Sequence, residues 1–169
     1  AARRLVISPS GERIIDFGQN LAGYVEIKIT GKAGERVSIS HAEVLDKDGN
    51  FYTGNLREAK QRDTYVLSGG RDILKPSYTY HGFRYIRIDE FPGEPDPSAF
   101  TAVALYSDMK RTGHFTSANQ DVDRLFQNVV WGERSNFVDI PTDCPQRDER
   151  LGWTGDAQIF CRTASMIYD

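Results

Sequence analysis

At 169 residues, with 39% hydrophobic and 27% charged residues, the chain has the composition of folded globular protein with room for one good core or two small ones, not of a disordered tail. A net charge of −3 supplies no attraction to nucleic acid or to an anionic membrane surface. No apolar run reaches the length of a membrane-spanning helix, so neither nucleic acid nor membrane is expected as a partner.

The opening Ala1-Ala2-Arg3-Arg4 leads into an apolar trio too short for a signal-peptide core. The start reads as cut rather than natural, and the compartment stays open. From there to about Ser107 the pattern is β. Val25, Ile27 and Ile29 alternate with Glu26, Lys28 and Thr30, the two-residue period of a half-buried strand. Val37 and Ile39 repeat the alternation after the turn residues Gly31 to Gly34. A further strand runs from Asp63 to Ser68 and stops at Gly69-Gly70; another starts at Phe83. Phe100 to Tyr106 is nearly continuous apolar sequence, which predicts a strand covered on both sides. Short strands separated by Gly, Pro and Asp turns predict an antiparallel β-sandwich.

Two stretches in this part invite a ligand. Asp46-Lys47-Asp48-Gly49-Asn50 resembles the opening of a calcium loop, but Phe51 stands where the glycine is needed, so it is read as a turn. Tyr78, Tyr80, His81, Phe83 and Tyr85 could stack on sugars, though aromatics at strand spacing ordinarily serve packing. His41, His81 and His114 are scattered singly. With only Cys144 and Cys161 beside them they suggest neither a zinc site nor a disulfide framework.

Beyond Met109 the pattern changes to helix. Val122, Leu125, Phe126, Val129 and Val130 fall on one face of a helix over 118–134. Ser117 and Gln120 have the spacing of a capping box, and Asp121 and Asp123 suit the positive end of the helix dipole. A second helix is predicted over 157–168, running into the last residue as a truncated helix would. Two helices of this size bury little of their own apolar surface. They are expected to belong to a larger helical domain rather than to lie only on the sandwich, and an open face of Val122, Phe126 and Val130 would favour self-association.

Between the helices lies the chemically densest stretch, Asp143 to Gln158. It holds four carboxylates, two arginines, Trp153, Pro145 and two glycines. Acids for proton transfer, a ring to stack on a ligand and small residues that allow close approach suit a polar pocket. Arg147 and Arg150 can hold neighbouring carboxylates ionised or in place. The same residues also suit a salt-bridged, solvated face. Pro145 disfavours a helical Cys144, so the stretch begins as a loop.

The run Cys144-Pro145-Gln146-Arg147-Asp148-Glu149-Arg150-Leu151-Gly152-Trp153-Thr154-Gly155-Asp156-Ala157 resembles the signature of bacterial α-L-rhamnosidases, glycoside hydrolase family 78. Asp16-Phe17-Gly18-Gln19-Asn20 with Gly23, and Tyr80 to Tyr85, are similar to segments of the β-sandwich that precedes the catalytic barrel in that family. The resemblance implies a mainly β fold class, an antiparallel β-sandwich (1–108) followed by the first helices of a truncated (α/α)6, or six-hairpin, barrel (109–169). It implies an inverting glycosidase that removes terminal α-L-rhamnose from rhamnosylated glycosides or oligosaccharides, with no cofactor and no metal. By position Glu149 would be the general acid, and Asp143, Arg147, Trp153 and Asp156 would hold the rhamnose. The general base would be a glutamate beyond Asp169, so the isolated chain is expected to be inactive.

The chemistry agrees with the residue types. Inverting hydrolysis needs a carboxylic acid and a carboxylate roughly 6.5–9.5 Å apart. Acidic neighbours (Asp143, Asp148 and Asp156) are expected to raise the pKa of Glu149. Trp153 would cover the apolar face of the sugar, while Arg150 has the alternative of a structural role. A second reading makes the chain a non-catalytic carbohydrate-binding or purely structural sandwich, with Tyr78 and Tyr80 as the sugar platform.

Overall fold

The spine of the molecule is β2 (Arg13–Gly31), a 19-residue strand; the computed structural model describes residues 1–169. Its first half pairs antiparallel with β1 (Arg4–Ile7) on one side and β6 (His81–Glu90) on the other. Outside β6 lie β3 (Arg36–Ala42) and then β4 (Arg62–Val66), giving the order β1-β2-β6-β3-β4. The second half of β2 pairs instead with β5 (Gly70–Leu74) and β7 (Phe100–Ala104). Between Asp16 and Leu21 the register of β2 against β6 shifts. Such a bulge bends a strand and adds twist, which lets β2 serve both layers. The antiparallel β-sandwich is present, and two helices follow it.

Both layers close on one core of 14 buried residues. Val25, Ile27, Val37, Ile39, Phe83, Ile86 and Phe100 are fully buried within it. In β2 the predicted alternation holds, with Val25, Ile27 and Ile29 inside and Lys28 and Thr30 outside. In β3 it does not, because Ser38 and Ser40 are buried as well. Their hydroxyls are satisfied by neighbours: Ser38 bonds Thr64 at 3.1 Å, and Ser40 donates to Asp89 at 2.5 Å. A buried hydroxyl with a partner avoids most of the desolvation cost. β7 departs the other way. Only Phe100 is buried and Thr101 to Ala104 are half-buried, since this strand pairs with β2 alone.

Asp46 turns the chain as expected. Its carboxylate accepts from the backbone N–H of Asp48 and Asn50 and from the Asn50 amide, inside the Leu45–Phe51 bridge. The aromatic stretch divides. Phe83 and His81 enter the core, whereas Tyr78 is fully exposed.

Helix α1 spans Gln120–Asn136 and α2 spans Thr154–Ile167. Asn119, not Ser117, caps α1: its side chain accepts from the Asp121 N–H at 2.9 Å. Ser117 sits too far upstream for a helix that begins at Gln120, and its own N–H is bound by Asp123. The helices share a small cluster of Val130, Ile167 and Tyr168. The sandwich also has a part in holding them, because Trp131 of α1 packs against the sandwich core. Neither helix is long and apolar enough to cross a membrane.

Candidate active site

The segment joining the helices opens with a two-rung hairpin, β8 (Phe137–Val138) and β9 (Ile140–Pro141). Thr142 then returns to the end of α1, donating both its N–H and its hydroxyl to the Asn136 carbonyl. From Asp143 to Gly152 the chain has no repeating structure and lies against the sandwich. Three sandwich residues set its course. A Cβ on Gly82 would stand 2.8 Å from that of Gln146, so only glycine lets the loop approach this closely. The Gln61 amide donates to the Gln146 carbonyl. Arg150 donates to the Tyr80 carbonyl at 2.8 Å and lies over the Tyr80 ring, giving it the structural role left open above. That contact also covers half of the proposed tyrosine platform.

Helix α1, the loop and α2 together line an open cavity of about 500 Å³. Asp143, Trp153 and Asp156 line it, together with Glu133, Val129 and Phe160. Asp156 stands in the first turn of α2 and Glu149 in the irregular loop, so helical spacing does not relate the two. Arg147 and Glu149 lie outside this lining but next to it. Glu149, Cys144 and Asp143 bring ligand atoms within 4.8 Å of one another. Arg147 pairs with Glu149 at 2.6 Å and donates to the Cys144 sulfur at 3.2 Å.

The expectation that acidic neighbours raise the Glu149 pKa is reversed. A 2.6 Å bond from Arg57, contributed by the sandwich, dominates and holds the carboxyl below its ordinary value. The charge of Arg147 and a hydrogen bond with Asp143 act in the same direction. Adjacent guanidinium groups favour the anion more than nearby acids disfavour it.

Sequence reasoning missed Glu133. It is 2% exposed, neither carboxylate oxygen has a partner, and burial pushes its pKa up to about 7. A signal was present, since position 133 continues the apolar face of Phe126, Val129 and Val130. An acid on such a stripe is worth noting.

The histidines that are scattered in sequence meet in space. His41 and His81 stack 4.0 Å apart with Asp63 beside them. His81 bonds Asp63 at 2.9 Å and the Gln61 side chain at 2.5 Å. Burial drives the pKa of His41 down to about 3. The ring planes are only 23° apart, so their in-plane nitrogen lone pairs do not converge on a common point as metal ligation demands. The group works as a buried hydrogen-bond network, and through Gln61 it reaches the Gln146 backbone.

Relatives of known structure share this arrangement of chain. The bacterial alpha-L-rhamnosidase concanavalin-like domain family matches residues 7–106, and the bacterial alpha-L-rhamnosidase 6 hairpin glycosidase domain family matches residues 110–169. An alpha-L-rhamnosidase of Formosa agariphila is 43% identical over 167 residues, 97% of this chain and 18% of its own length. The structure of an Aspergillus terreus alpha-L-rhamnosidase superposes with a TM-score of 0.95 at 46% identity, over 99% of this chain and 20% of that one. The Streptomyces avermitilis alpha-L-rhamnosidase, solved in complex with L-rhamnose, gives 0.94 at 42% identity over 99% and 16%. The chain thus spans roughly a fifth or less of the length of these relatives. With both of its parts matched to adjacent domains of one enzyme group, the chain belongs to the bacterial α-L-rhamnosidase family.

Proposed function

We propose that the protein serves the hydrolysis of terminal α-L-rhamnosides with inversion at the anomeric carbon, and that the boundary between its two parts lies at 108/109. In this reading Glu149 is the general acid, Asp143 and Asp156 bind sugar hydroxyls, Trp153 covers the apolar sugar face and Arg147 steadies the carboxylates. The general base lies outside residues 1–169, so these residues alone do not turn over substrate. The observation that carries the reading is the meeting of Asp143, Trp153 and Asp156 around one cavity, with Glu149 against Asp143. L-rhamnose in the Streptomyces avermitilis relative supports the sugar.

One observation favours a second assignment of the proton donor. Glu149 is paired with two arginines, whereas Glu133 is unpaired, lines the cavity and has a pKa pushed up to about 7. A raised, buried carboxyl is the usual form of a general acid. The two are separated in the full-length enzyme on aryl α-L-rhamnosides. If Glu149 is the acid, Glu149→Gln loses about a hundredfold or more on a poor leaving group and little on an activated one. If Glu133→Gln shows that pattern instead, Glu133 carries the proton. Cleavage of another glycoside with none of rhamnosides would overturn the substrate.

A further inference from the structure

We infer that Arg57, a residue of the sandwich, is a positioning residue of the catalytic centre. It fixes the Glu149 carboxyl in place through their 2.6 Å contact, so the sandwich is part of the active site and not a spacer. This rests on Glu149 being the general acid.

Arg57 directly follows a 3-10 turn, Gly54–Leu56, whose Leu56 is 2% exposed. The turn is tied by Leu56 N–H to the Thr53 carbonyl and Ala59 N–H to the Leu56 carbonyl. The buried Leu56 anchors the turn immediately before Arg57. Arg57 is held at φ 55°, one of two non-glycine residues in the chain with positive φ. That region is unfavourable for a side chain with a Cβ, and glycine would be the ordinary occupant. Strained residues of this kind concentrate at sites where the geometry has a use. Here the guanidinium reaches out of the sandwich and meets the Glu149 carboxylate at 2.6 Å.

The groups facing Glu149 come from two elements. From the sandwich there is Arg57; from its own loop there are Arg147 on its other oxygen, Asp143 and Cys144. Arg147 belongs to the loop itself, while Arg57 belongs to a separately packed turn. A carboxylate clamped between the two has its position referred to the rigid sandwich. A misplaced catalytic group costs up to about a hundredfold in rate, so the clamp contributes through geometry as well as charge.

The test uses the full-length enzyme. Arg57→Met removes the charge, Arg57→Lys retains it, and Arg57→Gly removes the side chain while relieving the positive φ, which favours the folded state. Activity that depends on a protonated acid disappears as pH rises through the pKa of that acid. Losing Arg57 raises that pKa, so the basic limb of kcat/KM should move to higher pH in Arg57→Met and Arg57→Gly and return toward its original place in Arg57→Lys. On a poor leaving group kcat should fall about tenfold, well inside the penalty for a displaced catalytic group, with KM nearly unchanged. An unmoved limb and unchanged kcat in the folded Arg57→Gly variant would reduce the contact to a surface ion pair and overturn the inference. Glu149→Gln measured alongside keeps the two claims apart. A harmless Glu149→Gln removes the acid assignment itself, whereas a damaging one with an inert Arg57→Gly removes only the role of Arg57.

Discussion

The sandwich and the helical segment differ sharply in how they hold themselves together. The sandwich closes two layers over 14 buried core residues, many with no exposed surface at all. The helical segment has three in its own cluster, and its apolar side chains stand in the open: Leu125 at 62%, Ile159 at 81% and Met166 at 63% exposure. Buried apolar area is the main favourable term in folding. The sandwich therefore carries the stability of these residues, and the helices lean on it through Trp131. The candidate active site lies on the less stable side, yet its loop is pinned by Gly82, Gln61, Arg150 and Arg57, all from the two partners in that contact. A stretch without repeating structure gains defined geometry by being laid on a well-packed one.

The strongest way to break this contrast is Phe83→Ala. Phe83 is fully buried between Phe17 and His41, and such a truncation costs about 3–5 kcal/mol. Urea unfolding followed by far-UV circular dichroism should show both parts lost together, because the helices have only a three-residue cluster of their own. A helical signal that outlasts the sheet would contradict that dependence.

A smaller effect sharpens the contrast by pH. The carboxyl of Glu133 has its pKa raised by burial from 4.5 to about 7, so the folded state binds its proton more tightly than the unfolded one. Its stabilising contribution is then complete below pH 4.5 and fades as pH rises through about 7. Glu133→Gln should flatten this part of the stability profile, read as thermal midpoints between those limits. A wild-type profile that rises across the window would show that Glu133 is paired in solution.

Smallest of all should be Ile159→Gln. With Ile159 81% exposed, its replacement should change the stability of these 169 residues by no more than about 0.5 kcal/mol. A loss of several times that, by the same urea titration, would reveal a cover over α2.

Much of this was legible in the sequence. The two-residue period of Val25, Ile27 and Ile29 sufficed for β2, and the helical period of Val122 to Val130 for α1, because burial repeats at the pitch of the backbone. The run from Cys144 to Ala157 located the candidate site and its family. The helix cap was misplaced by two residues, since Ser117 and Asn119 both carry capping groups and only the observed start at Gln120 decides between them. The buried serines of β3 were not legible, because their partners Thr64 and Asp89 are remote in sequence.

Periodic elements, turns and the identity of the charged run depend on near neighbours along the chain and could be read from it. What those charges do depends on how the folded chain packs. Arg57 stands 92 positions before Glu149, His41 and His81 are 40 apart, and Gln61 lies 85 before Gln146. Electrostatic and hydrogen-bond energies depend on distance in space, not on separation in sequence. The ionisation of Glu149 was therefore settled only when the loop came to rest on the sandwich, the pairing of the histidines when β3 met β6, and the seclusion of Glu133 when α1 packed.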